Sequence, residues 1–202
     1  MEDNEKILNA ATERFMKDGF YKTSMDELAR SLSMSKKTIY KYFPSKEVLV
    51  EKIIEAIMTK VSSSMDELLE GPGTSIEKIT GMLTILSTIA MNQGDRWPVE
   101  IQRHAPHLWQ KIERFRRERI TKNITIIVEQ GKHEGLFRDK SVDFIMPIFL
   151  AAINAVITPD FLMNHNYSFG ETVTNTFDIL LNGILTENGH KQFINIKNRK
   201  DK

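Results

Sequence analysis

At 202 residues with 41% apolar side chains, the chain is large enough to fill the core of one domain, or of a small domain joined to a larger one. It contains no cysteine, which excludes a disulfide framework and thiolate metal sites and fits a reducing cytoplasmic setting. The formal net charge of +1 leaves the overall field nearly neutral, so nucleic-acid binding would have to rest on a local basic patch. Residues Met1 to Glu5 are acidic and polar and lack the basic and apolar regions of a secretory signal, so export is not expected. The most apolar run, Phe144 to Ile157, is shorter than the roughly 20 residues that span a bilayer and contains Pro147 and Asn154; it predicts a buried helix and no membrane association.

In chain order, Ile7, Leu8, Ala11 and Phe15 form the stripe of a first helix, which Gly19 can end in the left-handed conformation. Ser24-Met25-Asp26-Glu27 fits a capping box and opens a second helix with Leu28, Ala29 and Leu32 facing inward. Ser33-Met34-Ser35 makes a sharp reversal into a short helix from Lys36 to Tyr42, on the order of 10 Å long, which Pro44 stops. Ser45 caps the next helix, whose stripe is Leu49, Ile53, Ile57, Val61, Met65 and Leu68. Gly71-Pro72-Gly73 reads as a linker, because no strand precedes it and no Gly-Lys-Ser/Thr follows; a capping box at Thr74 and Glu77 then opens a helix to about Asn92. A short helix from Trp97 leads to Pro106, which starts a long helix carrying Leu108, Ile112, Phe115, Ile124 and Ile127 to Gly135, with Gly131 a weak point inside it.

The last two helices are expected from about Ser141 to Asn164, with continuity in doubt at Pro159, and from Ser168, boxed with Glu171, to about Thr186. Ile145, Ile148, Phe149, Ala152 and Val156 make one stripe of the former, and Leu150, Ile153 and Ile157 a second. A helix with two apolar faces needs two partners, so this pair, with Val173, Thr176, Phe177, Leu180, Leu181 and Ile184, predicts a homodimer interface. Residues 191–202 are basic and read as a solvated, mobile tail, with an arm that touches DNA as the alternative. No strand-like alternation stands out, and the fold class is all-α.

Helix, tight turn and short basic helix form a helix-turn-helix, whose second helix enters a major groove about 12 Å wide. Ser35, Lys36, Lys37 and Thr38 occupy the half that would read base edges: lysine donates to guanine O6 and N7, and the threonine methyl meets that of thymine. Tyr40, Lys41, Tyr42 and Lys46 lie along the flank and beyond, where hydroxyl and ammonium groups meet phosphate. Thr23 and Ser24 add a helix N-terminus as a phosphate contact. Ile39 and Phe43, at i and i+4, supply the inward stripe and leave both tyrosines available.

At these residues the chain resembles the TetR family of bacterial transcriptional regulators. The resemblance runs through Gly19-Phe20, Thr23-Ser24-Met25-Asp26-Glu27-Leu28-Ala29 and Met34-Ser35-Lys36-Lys37-Thr38-Ile39-Tyr40-Lys41-Tyr42-Phe43-Pro44-Ser45-Lys46-Glu47-Val48-Leu49, and weakly through Gly135-Leu136-Phe137-Arg138. Ser33 departs from it, standing where the family most often has glycine; a positive φ there would cost about 1 kcal/mol. The resemblance implies an N-terminal three-helix helix-turn-helix domain at 1–46, a larger ligand-binding and dimerisation domain at 47–190, and the tail. It further implies a homodimer that binds a palindromic operator in double-stranded DNA, joined through the last two helices and released by a small-molecule effector.

Met82, Leu86, Trp97, Trp109, Ile112, Phe115 and Phe149 are the candidates to line an effector cavity, with ordinary core packing as the competing reading for each. His104 and His107 straddle Pro106, which breaks the register a metal would need, so neither metal nor cofactor is expected. Arg114, Arg116, Arg117, Arg119 and Lys122 form a basic cluster, but Glu113 with Arg117 and Glu118 with Lys122 sit at i, i+4, the pattern of a solvated helix face. The alternatives are a ligand-independent architectural DNA binder and an all-helical enzyme, the latter lacking any nucleophile elbow, paired metal-ligand motif or dinucleotide fingerprint.

Overall fold

The computed structural model describes residues 2–93 and 96–200, with side chains at 2–89 and 97–197. Its helices are α1 (Asp3–Asp18), α2 (Met25–Ser31), α3 (Lys36–Tyr42), α4 (Lys46–Glu70), α5 (Ser75–Gln93), α6 (Arg96–His104), α7 (Pro106–His133), α8 (Val142–Val156), α9 (Pro159–Asn164), α10 (Phe169–Ile184) and α11 (Glu187–Lys200). Among the described residues there is no strand, only an isolated bridge between Phe137 and Leu185. All three predicted capping boxes form: at Ser24, Thr74 and Ser168 the hydroxyl accepts from the amide three residues on, while the glutamate there accepts from the cap's own amide.

The chain makes two compact units. The first takes the described residues of 1–60 and 92–114, the second those of 61–91 and 115–200. A boundary at 46 is therefore too early. Three short helices bury too little surface alone, and the core around Ile7, Phe15, Leu28 and Ile39 is completed by Leu49 and Ile53 of α4, Trp97 and Ile101 of α6, and Leu108 of α7.

The second unit closes over Met65, Ile76, Ile79, Ile127, Phe149, Phe177 and Leu181, with the Phe149 and Phe177 rings meeting edge to face at 6.2 Å. Three expectations change here. Residues expected in a mobile tail continue α11, because Phe193 is buried in this core, Ile196 packs against it and Lys197 pairs with Asp178. The helix expected from Ser141 to Asn164 is two helices: Thr158 caps α9, accepting from the Phe161 amide, and Pro159 takes the first helical position. Gly131 is no weak point, since a Cβ there would lie 1.9 Å from the Phe137 ring, so the missing side chain lets that ring pack on the helix.

The stripes on α8 also differ from expectation. Ile145, Met146, Phe149 and Ile153 are buried within the unit, as is Ile157 at its C-cap, whereas Phe144 (70% exposed) and Ile148 (49%) face outward. Ile148 thus leaves the stripe expected with Ile145 and Phe149, and Ile153 and Ile157, expected on a second stripe, join those two in the core. Pro147, lying between the two exposed residues, and Ala151 one turn on continue the outward face.

Candidate nucleic-acid interface

The helix-turn-helix is built from local hydrogen bonds. α2 ends in a Schellman motif, with the Met34 amide donating to the Ala29 carbonyl at 2.9 Å and the Ser33 amide to that of Arg30 at 3.1 Å. Ser33 sits at φ 53°, the left-handed conformation that favours glycine, so the serine is strained by about 1 kcal/mol. Ser35 caps α3, accepting from the Thr38 amide at 3.1 Å, and its hydroxyl is bonded to the Thr38 hydroxyl at 2.8 Å. Ile39 and Phe43 seat α3 in the core.

This seating divides the DNA candidates. Lys37, Tyr40, Lys41 and Tyr42 are exposed, and no acid pairs with either lysine among the described residues. The Lys41 ammonium lies 5.6 Å from the Tyr42 ring centroid. Lys36 is exposed but paired with Asp26 of α2. Ser35 and Thr38, expected to read bases, hold each other in the cap, so the Thr38 methyl is the part of that pair left for thymine.

Three other assignments change. Thr23 is 3% exposed and donates to the Gly19 carbonyl at 2.8 Å, so it offers no surface to phosphate. Ser24 is exposed, but its amide and hydroxyl both donate to Glu27, whose carboxyl those bonds hold below the usual carboxylate range. The N-terminus of α2 thus carries a carboxylate where a phosphate contact was expected. Lys46 donates to the Tyr21 carbonyl at 2.9 Å and lies 5.7 Å from the Phe20 ring centroid, and burial lowers its pKa while Glu100 and Glu27 oppose that shift. Its ammonium positions the turn before α2.

That turn has a second support that the sequence did not reveal. Glu100 of α6 accepts from the Tyr21 amide at 3.1 Å, and its carboxylate lies where a Cβ on Gly19 would be 2.3 Å away. Gly19 has φ 86° and ψ 144°, open only to glycine, so conformation and close approach both require it. Trp97 meets Phe20 edge to face at 5.7 Å, and His104 stacks on Tyr21 at 3.9 Å. No local pattern announces these contacts; Glu100 and Tyr21 are 79 residues apart.

The effector candidates also separate. Trp97 belongs to the core of the first unit, and Trp109 and Ile112 pack against it; Met82 and Phe149 lie in the core of the second, with Leu86 packed on it. Phe115, half-buried, is also in the second unit. His107 meets Glu47 at 3.1 Å, and no group of three metal-ligating side chains occurs among the described residues. The basic cluster on α7 is less solvated than expected: Arg119 and Lys122 both bind Asp66, driving its pKa down to about 2, and Arg116 donates to the Ile157 carbonyl.

Residues 7–53 match the model of the bacterial regulatory proteins of the tetR family. The uncharacterised HTH-type transcriptional regulator YvaF of Bacillus subtilis is 25% identical over 186 residues, 91% of this chain and 96% of that protein. The HTH-type transcriptional regulator UidR of Escherichia coli is 38% identical over 66 residues, 33% of this chain and 34% of that protein. A regulator from Saccharomonospora viridis, solved in complex with choline, shares the fold with a TM-score of 0.70 at 16% identity, covering 91% of this chain and 98% of that one. The molecule is thus a helix-turn-helix DNA-binding regulator rather than an enzyme. Its residues 7–53 are similar to the bacterial regulatory proteins of the tetR family, and nearly its whole length is similar to a helix-turn-helix transcriptional regulator. No helix among the described residues is long and apolar enough to cross a membrane.

Proposed function

We propose that this regulator is a cytoplasmic homodimeric repressor that binds a palindromic operator through α3 and lets go when a small molecule binds its second unit. The observation that carries the reading is the exposed set Lys37, Tyr40, Lys41 and Tyr42, with no acid paired to it among the described residues, on a helix whose other side is seated in the core. Two such helices read half-sites about 34 Å apart only while their spacing matches, so a ligand that favours another spacing releases DNA. Phe144, Ile148 and Ile179 (73% exposed) on α8 and α10 support pairing of two copies through these helices, which α11 follows in the chain. The choline-bound Saccharomonospora structure supports a fold with room for a small ligand. The test is to select sites from a random DNA pool, footprint the winner, then screen metabolites for release. The reading expects two protected half-sites in an inverted repeat, a dimer by light scattering, and loss of protection with one metabolite. Sequence-blind coating of the DNA, or a monomer that still binds the palindrome tightly, would overturn it.

A further inference from the structure

Among the fully buried polar side chains of the second unit, partners are the rule. Ser75 donates to Glu134, Lys78 to the Leu69 carbonyl, and Thr80, Thr172 and Thr176 to carbonyls one turn back. Asn123 of α7 breaks the rule: it is 2% exposed, and its Oδ1 is buried with no hydrogen-bond partner. One turn earlier on the same helix, the Nε of Arg119 is buried and unpartnered as well. The two atoms are complementary, an acceptor and a donor, and side chains four apart share a helix face with Cβ atoms about 6 Å apart. Buried polar atoms are rarely left unsatisfied, and a donor and an acceptor one turn apart on the same helix call for a group that does both jobs.

The rest of the Arg119 guanidinium sets the charge of that group. Its Nη atoms bind both carboxylate oxygens of Asp66, at 3.2 and 2.9 Å, and the Ser62 carbonyl at 3.3 Å. Lys122 adds a third contact to Asp66 at 2.9 Å, and these bonds keep Asp66 ionised down to about pH 2. Against the half-buried Arg119 the Asp66 carboxylate supplies the opposing charge, while the Lys122 ammonium is more than half exposed and faces solvent; beside Nε an anion would meet the Asp66 carboxylate, and a cation would meet Arg119.

We propose that Arg119 Nε and Asn123 Oδ1 form the polar end of a small-molecule site in the second unit, one that takes a neutral ligand whose head both donates and accepts a hydrogen bond, a hydroxyl or a carboxamide. The inference rests on the effector reading above and adds the chemistry of the effector's head group. Full-length protein is titrated with 1-hexanol and hexanamide, with methyl pentyl ether (acceptor only) and hexanoate (anionic) as controls, followed by melting and by side-chain amide NMR. The expected result is binding of the alcohol or the amide, with the Asn123 carboxamide resonance moving, and neither control binding. Asn123→Leu should fold at least as well as the wild type, because it removes an orphaned polar atom, and should bind the successful probe about tenfold more weakly. The wild-type resonance decides the matter even if that variant fails to fold. Binding of no hydroxyl or carboxamide probe, an unmoved Asn123 resonance, or equal binding by Asn123→Leu overturns the site and leaves those atoms to internal water. Operator release is measured in parallel. Probes that bind through Asn123 without releasing DNA count against the effector reading alone, and release that Asn123→Leu leaves unchanged counts against the site alone.

Discussion

α2 and α3 are both seven residues long, both capped by serine and adjacent in the chain, yet they present opposite surfaces. At the start of α2 the polar groups are committed: Ser24 to Glu27, Thr23 to Gly19, and the Tyr21 amide and carbonyl to Glu100 and Lys46. Beyond its cap, α3 shows Lys37, Tyr40, Lys41 and Tyr42 to solvent with no acid against them among the described residues. Composition already separates the helices, with three lysines and no acid on α3 against Asp26, Glu27 and a single Arg30 on α2. What the fold adds is whether each group is already used, and the unused ones are those able to replace counterions on DNA.

The largest change expected on either helix comes from the buried seat of α3. Ile39→Ala removes a fully buried side chain and should destabilise the first unit by about 2–5 kcal/mol, measured by denaturant midpoint, with operator binding lost in proportion to folded protein. Next, Lys37→Ala should relax sequence preference, changing the ratio of operator to mismatched site by about 1–3 kcal/mol in competition binding. A substitution on α2 gives the converse: Asp26→Asn frees Lys36 from its partner and removes a negative charge, so it should tighten DNA binding by about threefold at low salt, an effect that fades as salt rises. Ser33→Gly, at the junction of the helices, should raise stability by about 1 kcal/mol through relief of the left-handed backbone, while the salt dependence of binding stays unchanged.

The smallest expected effect lies outside the motif, at Asp66. Its folded pKa is depressed from 3.8 to about 2, so its stabilising contribution is full above about pH 4 and is lost as pH falls toward 2. Asp66→Asn should flatten acid unfolding in that window, read from circular dichroism between pH 5 and 2.

Most of the helix-turn-helix was legible because its devices span three or four residues. Capping boxes, the i, i+4 seat at Ile39 and Phe43 and the reversal at Ser33 depend on neighbours that any reading of the chain sees together. The failures involve partners far away. Nothing near Lys46 says that its ammonium goes to Tyr21, or near Lys122 that it prefers Asp66, 56 residues back, to Glu118 at i−4. The basic tail looked solvated because its charges outnumber Phe193 and Ile196, yet those two apolar groups dock α11. On α8, apolar residues on all sides left the face toward the core undecided, and packing chose Ile153 over Ile148.

The distinction between used and unused groups is tested most directly by comparing Lys41→Ala with Ser24→Ala, following operator affinity across a salt series together with melting temperature. Lys41→Ala should lower the slope of log K against log salt by about one unit and leave melting unchanged, whereas Ser24→Ala should lower the melting temperature and leave the slope alone. The reverse pattern, a slope lost with Ser24 and kept without Lys41, would contradict the account.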